Sequence, residues 1–172
     1  VEERAPEPAR AVQSGLVNRA KTKPPFSFEV TPNPGTPSLP ITLPGDGQVH
    51  YVVFDAGRLV TAFPRLELDA GGGAVVEVAY AEAPSLNLRK DRRDVLADKR
   101  VEGINDIYVT RSGRQVFEPF FHRTFWFVRV AVKSDTPVTL HGLDYRWTSY
   151  AFPDRGRFEC SDATLNRIWQ VG

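Results

Sequence analysis

Apolar and polar residues alternate most regularly in residues 115–133, QVFEPFFHRTFWFVRVAVK. From position 124 onward, the apolar side chains share one side of the alternation: Trp126, Val128, Val130 and Val132. Arg129 and Lys133 fall on the opposite side. A period of two with one polar side is typical of a β-strand that has one face in solvent. We expect this strand to lie at the centre of a sheet.

Four large rings precede and open this strand: Phe117, Phe120, Phe121 and Phe125. They fall within nine positions, which is more apolar area than an exposed edge of a sheet carries without aggregating. The pattern therefore predicts that both faces are covered here and that a second sheet packs on the first.

The same kind of alternation predicts further strands: Tyr51–Ala56, a strand at Leu66–Leu68, Val76–Tyr80, Ile104–Thr110 and one from Val138 to about Ser149. The glycines at 71–73 supply positive φ for a hairpin into Val76–Tyr80, and Ser112-Gly113 predicts a hairpin between Ile104–Thr110 and the central strand. A change of parity at His141-Gly142 indicates a β-bulge. This succession predicts an all-β fold, an antiparallel two-sheet sandwich of jelly-roll type.

The amino-terminal part of the chain lacks this regularity. Residues 1–23 carry charges, alanine and proline, which indicates a tail or linker, or a short helix at Ala9–Arg19. Residues 24–47 hold seven of the 14 prolines. Because proline cannot donate to a sheet, we expect only short edge strands there, at Phe26–Val30 and Leu39–Leu43.

The carboxyl end changes from strand to helix. A short strand at Arg157–Glu159 is expected before a helix at Ala163–Val171, with Ser161 as its cap and Asp162 complementing its dipole. Residues 24–160 are thus predicted to form the sandwich domain and residues 161–172 to begin a helix of the next domain. The chain contains no Met and stops just after this helix, which we interpret as a piece of a longer protein.

Charge and composition exclude several classes of partner. Lys and Arg total 22 against 21 Asp and Glu, a net charge of +1, so no general field recruits nucleic acid or an anionic membrane. No apolar run approaches the roughly 20 residues of a membrane span, and nothing at the amino end resembles a signal peptide. We expect a soluble chain from a parent that is either cytoplasmic or exported. The single cysteine, Cys160, is expected to be a small buried residue.

The densest polar segment runs from Glu82 to Asp106. Its candidate carbohydrate-binding or interface residues are Glu82, Asn87, Arg89, Arg92, Asp94, Lys99 and Asp106, to which Trp126 adds an aromatic ring. Carboxylates of Asp91, Asp94, Asp98 and Asp106 could hold Ca²⁺, but six basic side chains between residues 89 and 100 argue against a metal. A solvated surface loop, or contact with a neighbouring domain, explains the same mixed charges.

Residues for catalysis are not evident. A glycosidase needs two carboxylates flanking its bond, and Glu118 and Glu159, the acids nearest the aromatic strands, are not brought together by any pattern. His50, His122 and His141 are dispersed and form no triad or metal motif. We therefore predict no catalytic residue, no cofactor and no metal ligand within the chain, with Ca²⁺ left open.

Several segments, taken in order, resemble one enzyme family. They are YVVFDAGRLVTAFPRLEL, VEVAYAEA, DRRDVLADKRVEGINDIYV, VFEPFFHRTFWFVRVAV and YAFPDRGRFECSDATLNRIWQVG. From about Val49 to Gly172 this series resembles the bacterial α-L-rhamnosidases, in which a concanavalin-like β-sandwich directly precedes an (α/α)6 catalytic barrel. The passage Phe158–Trp169 matches the crossing between the two, so the resemblance implies that residues 161–172 begin the first helix of that barrel.

The resemblance also implies that the catalytic residues lie outside this chain. The family hydrolyses terminal α-L-rhamnose with inversion, using one carboxylic acid and one carboxylate, and both lie in the barrel, beyond Gly172. This chain is then a non-catalytic accessory sandwich whose partner is the following barrel, with the segment 83–103 at the rim of the substrate cleft. The alternatives are a carbohydrate-binding module for rhamnose-containing glycans and an enzyme complete within these residues.

Overall fold

The computed structural model describes residues 2–3, 5–18, 23–26, 29–86, 89–90, 92, 96, 99–149 and 155–171. Thirteen strands and one helix lie within these ranges. The strands are β1 Glu2–Glu3, β2 Glu7–Pro8, β3 Arg10–Val17, β4 Val30–Pro32, β5 Ile41–Leu43, β6 Val49–Gly71, β7 Val75–Ala81, β8 Ser85–Leu86, β9 Arg89–Lys90, β10 Ile104–Val109, β11 Ser112–Phe117, β12 Arg123–Lys133 and β13 Val138–Ser149, and the helix is α1 Ala163–Val171.

The long strand β6 belongs to both layers of the fold. Its first part, residues 49–55, pairs with β12 and β3, and its second part, up to residue 71, pairs with β13 and β11. Between them Gly57 takes a φ of 73°, and the register with β12 shifts between Phe125 and Phe127. The sequence pattern predicts two separate strands, at Tyr51–Ala56 and Leu66–Leu68. The structure has one strand, which continues through the exposed residues 57–59 and bends there.

The first layer has β12 at its centre and β10 at its edge. Strand β12 pairs with β6 on one side and β7 on the other, and β10 pairs with β7. All of these pairs are antiparallel. The predicted central strand is thus confirmed for residues 123–133.

The main core lies between the two layers. Its buried side chains come from both parts of β6 and from β7, β12 and β13, and include Val52, Phe54, Leu66, Leu68, Val78, Val130, Leu140 and Tyr145. The predicted bulge of β13 is confirmed by a register shift between Leu140 and Gly142. An all-β, antiparallel sandwich followed by one short helix is therefore what the chain forms, while the jelly-roll connectivity stays a prediction.

The outer face of the first layer is covered, contrary to the prediction of a strand with one face in solvent. Phe127 and Ala131 of β12 pack there with Tyr51, Val53, Phe26 and Val101, and Trp126 lies at the margin of this cluster. Arg129 is 2% exposed and its Nη2 donates to Glu77 Oε1 at 2.6 Å. The arginine therefore marks a buried ion pair, which alternation alone does not distinguish from a solvated face.

The two predicted hairpins are wrong, because in both places the chain crosses from one layer to the other. Gly72 and Gly73 have the expected positive φ of 96° and 78°, but β7 pairs with β12 and β10. Likewise, β11 pairs with β6 whereas β10 pairs with β7. Strands that follow one another in the sequence, such as β6 and β7 or β10 and β11, therefore do not pair, because the core is buried only when each layer contributes strands to it.

The amino-terminal segment is part of the sheet. Strand β3 replaces the predicted helix and pairs with β6 and β4, and β1 and β2 pair with β13. Ala9, Ala11 and Val17 are buried. Many of its residues are small or charged, which hides the strands in the sequence pattern, but pairing with β6 and β13 includes them in the sheet. The predicted tail or linker in residues 1–23 is therefore wrong for these strands.

The carboxyl-terminal segment differs from its prediction in two details. Residues 157–159 form no strand. The helix is capped by Asp162, whose Oδ1 accepts from the backbone N–H of Thr164 at 2.7 Å and of Leu165 at 3.4 Å. Asp162 is thus the N-cap in place of Ser161, because it directly precedes the first helical residue, Ala163, so that its carboxylate faces the amides of the second and third helical residues. Cys160, expected to be buried, is half-buried.

The four phenylalanines before and within β12 separate. Phe125 is fully buried, but Phe120 is 98% and Phe121 70% exposed. The prediction that all of them are covered is therefore wrong in this chain. Phe120 and Phe121 lie between β11 and β12, where the chain changes layer, whereas the neighbouring His122 ring contacts Phe63 of β6 with ring centres 6.1 Å apart.

Removal of Arg129 should destabilise the chain far more than removal of an exposed arginine. Arg129→Met leaves Glu77 buried without its cation, for which we expect a loss of about 3–5 kcal/mol in the free energy of unfolding. Arg114→Met, which breaks the exposed pair with Glu67, should cost no more than about 1 kcal/mol. Urea unfolding of both variants measures these losses. The double variant Glu77→Leu/Arg129→Met should recover part of the stability lost in Arg129→Met. Equal losses in Arg129→Met and Arg114→Met would contradict the prediction.

Alkaline pH should unfold the chain partly through Tyr51. Its hydroxyl is buried without a hydrogen-bond partner, and burial raises the pKa of Tyr51 to about 12 against the opposing charge of Arg129. A folded pKa above the unfolded value of about 10 stabilises the chain below pH 10, and this contribution, about 2–3 kcal/mol, is lost as pH rises through 12. In Tyr51→Phe, the free energy of unfolding should fall less steeply as the pH rises, which denaturant titrations from pH 8 to 12 measure. Identical slopes in the two proteins would show that Tyr51 does not contribute to alkaline unfolding.

Candidate functional site

A groove of about 490 Å³ opens at the end of the first layer. Strand β7 ends there at Ala81, where its antiparallel neighbours β10 and β12 begin. The charged and other polar side chains that line the groove, apart from Tyr80, are Glu82, Ser85, Lys90, Glu102, His122, Arg123 and Thr124. They come from four parts of the sequence, which the antiparallel pairing brings to one edge.

Two polar pairs hold one wall of the groove. Lys90 Nζ donates to Glu82 Oε2 at 2.7 Å, and the Ser85 hydroxyl donates to Glu102 Oε1. Backbone hydrogen bonds run in both directions between Ser85 and Arg100, at 2.8 and 2.9 Å. The wall is therefore fixed by backbone as well as by side chains, and its carboxylates have defined positions.

A charge pair across β7 holds the opposite wall. Arg123 of β12 donates from Nε and Nη2 to the two carboxylate oxygens of Asp106 on β10, at 3.0 and 2.6 Å. The guanidinium lies 5.7 Å from the centre of the Tyr80 ring, which belongs to the strand between them. Hydrogen bonding to Asp106 raises the pKa of Arg123, and burial, then the Asp106 charge, raises the pKa of Tyr80. Three neighbouring strands, β12, β7 and β10, are thus linked by side-chain contacts at this end of the sheet.

Gly103 gives the groove its floor. A Cβ at this position would lie 2.1 Å from the backbone oxygen of Tyr80, so only glycine lets the two backbones approach so closely. The approach positions Glu102 on one side of Gly103 and the 73% exposed Ile104 on the other. Both side chains line the groove.

The residues predicted from sequence are only partly brought together. Glu82 lines the groove, and Asp106 supports it through Arg123. Arg89 and Arg92 are exposed outside the lining, and Lys99 Nζ donates to the Arg92 backbone oxygen at 3.3 Å. Trp126 packs against the outer face of the first layer, so it is not presented to this groove. Asn87 and Asp94 lie outside the described residues.

Sequence reasoning missed Lys90, Glu102, Ser85 and Arg123. Arg123 is the first residue of β12. A charged residue at the end of a strand is common, so nothing in the sequence indicates that Arg123 pairs with Asp106. Lys90 and Glu102 lie among many charges between residues 82 and 106, with no spacing that singles them out. Only the pairing of β8 with β9 and of Ser85 with Arg100 selects them.

The predicted segment 83–103 is more than a solvated loop in its described part. Ala83, Ser85 and Val101 are at most 7% exposed, and β8 and β9 form a small separate sheet. Within the described residues, no three His, Cys, Asp or Glu side chains are grouped as a metal site, whereas Asp91, Asp94 and Asp98 lie outside those residues. The Ca²⁺ hypothesis accordingly stays a prediction.

Other acids and histidines serve as surface pairs. Glu118 accepts from Arg146 at 3.0 Å and lies 3.4 Å from Arg65, while Glu159 accepts from Arg157 at 2.7 Å. His50 bonds Asp46 at 3.0 Å. Glu118 and Glu159 thus pair with different arginines and not with each other.

No helix in the described ranges is long and apolar enough to cross a membrane.

Loss of the pair across β7 should loosen the edge of the groove. In Asp106→Asn the two hydrogen bonds from Arg123 to a charged carboxylate become a single bond from the guanidinium to a neutral amide oxygen. We therefore expect the amides of β10 to exchange about tenfold faster, the effect of roughly 1.4 kcal/mol. Hydrogen–deuterium exchange with mass spectrometry measures this. Glu67→Gln, which weakens the exposed pair with Arg114, is the matched control; equal acceleration of β10 in both variants would contradict the role of Asp106.

Comparison with known proteins adds a likeness of fold. No family model and no curated protein matches the chain. Among solved structures, a GH78 family rhamnosidase of Bacillus sp. GL1 is similar with a TM-score of 0.59 and 24% identity, over 83% of this chain and 15% of that one. A rhamnosidase from Klebsiella oxytoca with rhamnose bound is similar with a TM-score of 0.54 and 13% identity, over 95% and 33%. The chain thus has the fold of a minor part of two rhamnosidases, and spans a third or less of their length.

Proposed function

We propose that this chain is the non-catalytic β-sandwich of a larger glycoside hydrolase of the α-L-rhamnosidase kind, where it supports a following catalytic barrel and borders its substrate cleft. The observation that carries the proposal is the likeness to two rhamnosidases, of whose chains it covers 15% and 33%. A domain of this size accounts for a small part of such an enzyme. The chemistry is then assigned to residues beyond this sandwich.

The apolar face of α1 supports the proposal. Leu165 is 47%, Ile168 60% and Trp169 50% exposed, and Trp169 contacts Phe158, itself 43% exposed, with ring centres 5.8 Å apart. A helix of nine residues is marginal alone, and most helical stability comes from packing of its apolar face. We infer that this face packs on the catalytic barrel.

The carboxylates of the groove do not suit glycosidic catalysis. An acid–base pair needs one protonated carboxyl group aimed at the leaving oxygen. Glu82 is ion-paired with Lys90 at 2.7 Å, and Glu102 accepts the hydroxyl proton of Ser85. Both acids are therefore used as hydrogen-bond acceptors, which supports a structural role for them in this sandwich.

The proposal predicts that α1 matters only when the barrel follows it. Leu165→Ser/Ile168→Ser, made in the polypeptide that continues into the catalytic domain, should lower both its Tm and its hydrolysis of an aryl α-L-rhamnoside, the latter at least about tenfold, because two apolar side chains leave the interface. In the 172-residue chain, where these side chains are already exposed, the same change should shift Tm by no more than about 2 °C.

Arg167→Ser serves as the control, since this arginine is exposed on the same helix and should leave the longer protein active. The 172-residue chain by itself should hydrolyse no aryl rhamnoside. Turnover by the isolated chain, lost on Glu82→Gln or Glu102→Gln, would show an enzyme complete in these residues. Full activity of a longer protein that lacks residues 1–160 would show that the sandwich gives no support.

A further inference from the structure

Strand β10 is an open edge of the first layer. Among the strands that the structure describes, β10 pairs with β7 and with no other. The register between the two runs unbroken from Ile104 to Val109, so no bulge ends the ladder. The side chains of Ile107 and Val109 are 53% and 58% exposed. A regular strand edge with exposed apolar side chains is a template for pairing with another strand.

The sequence of β10 lacks the residues that usually block such an edge. Residues 104–109, INDIYV, contain no Lys, Arg, Pro or Gly. Their one charged residue, Asp106, is bonded by Arg123 from within the same sheet. Strand β11, which pairs with β6 in the second layer, differs because it contains Gly113, with a φ of 91°, and Arg114. Of these two strands, β10 is therefore the one whose edge is unprotected.

The backbone groups that face the open edge of β10 belong to alternate residues. Thr110 directly follows β10, and both its N–H and its C=O are hydrogen-bonded to residues 73–74, which lead into β7, at 2.9 Å. Successive residues of a strand direct these groups to opposite sides. The N–H and C=O groups of Asn105, Ile107 and Val109 therefore point away from β7.

One antiparallel register of two β10 strands uses all of these groups. With Ile107 of one copy opposite Ile107 of the other, Asn105 of each copy pairs with Val109 of the other, and every outward N–H and C=O within the strand is bonded. Moving the two-fold axis to Asp106 brings two carboxylates directly opposite each other, which destabilises a sheet. Moving it to Tyr108 leaves Asn105 opposite a residue beyond the end of the strand. The strand is thus complementary to itself in a single register.

We propose that two copies of this chain associate through β10, with the strands antiparallel and Ile107 at the two-fold axis. The side chains of Ile107 and Val109 share one face of the strand, since they are two residues apart. In the dimer, Ile107 of each copy lies beside Ile107 and Val109 of the other, so four apolar side chains that are exposed in the monomer cover one another.

The size and charge of the chain indicate how strong this association is. A net charge of +1 per chain opposes the approach of two copies only weakly. One pair of short strands buries less than the roughly 800 Å² per partner of a standard interface, so we expect a Kd of about 10–500 µM. The surface is separate from the apolar face of α1, and the proposal does not depend on whether a catalytic barrel follows.

The test is sedimentation equilibrium of the 172-residue chain from about 10 µM to 1 mM, with the fold of each variant checked by circular dichroism. We expect a reversible equilibrium between monomer and dimer. Ile107→Lys sets two like charges opposite each other at the axis, so it should weaken the dimer at least about tenfold, as should Ile107→Glu. An equal mixture of the two variants should dimerise again, because the opposing residues then carry opposite charges.

Val116→Lys is the matched control, since Val116 is 47% exposed on β11 and should leave the dimer unchanged. All three variants change exposed side chains, so we expect each to keep its fold. A chain that stays monomeric up to about 1 mM overturns the proposal and leaves β10 to a strand of another protein. It is also overturned if Ile107→Lys dimerises as tightly as the unchanged chain, if Val116→Lys weakens the dimer equally, or if the mixture stays monomeric.

Discussion

The buried pair between Glu77 and Arg129 decides how this sandwich is covered. The two side chains are 0% and 2% exposed and lie on adjacent strands, β7 and β12, at the centre of the first layer. Glu77 Oε2 also accepts the backbone N–H of Phe26 at 2.6 Å, so the proline-rich segment is bound to the same carboxylate. Burial lowers the pKa of Arg129 although Glu77 opposes this. Removing either charge would leave the other unpaired under the cover, which costs several kcal/mol.

The outer cluster and the main core bury the two faces of the first layer. The groove lies at the end of the strands, where both clusters end. Val101 belongs to the outer cluster, and the next two residues, Glu102 and Gly103, line the groove. On the inner side, Tyr80 belongs to the main core and carries Arg123 above its ring. The groove is thus anchored from both faces of β7, which explains how short, charged segments can hold defined positions at the surface.

Two surfaces among the described residues, the groove and the apolar face of α1, differ in chemistry. The groove presents charged side chains that already bond with their neighbours, Lys90 with Glu82 and Arg123 with Asp106. The α1 face presents Leu165, Ile168 and Trp169 next to Phe158, which is suited to a second apolar surface.

The alternation of residues 124–133 and the parity change at Gly142 were enough to predict an all-β sandwich, its central strand and its bulge, because period and turn chemistry are local. The partners of Arg129, Asp106 and Glu102 were not predictable, because a charge on a strand looks the same whether it is solvated or paired across the sheet. The hairpins at 71–73 and 112–113 were misassigned for a related reason: positive φ specifies that the chain turns, but core packing selects which sheet it enters. The sequence alone thus determined the elements and the character of the fold. The tertiary structure decided which charges became buried pairs and which side chains met at the groove, since both depend on contacts between residues distant in the chain.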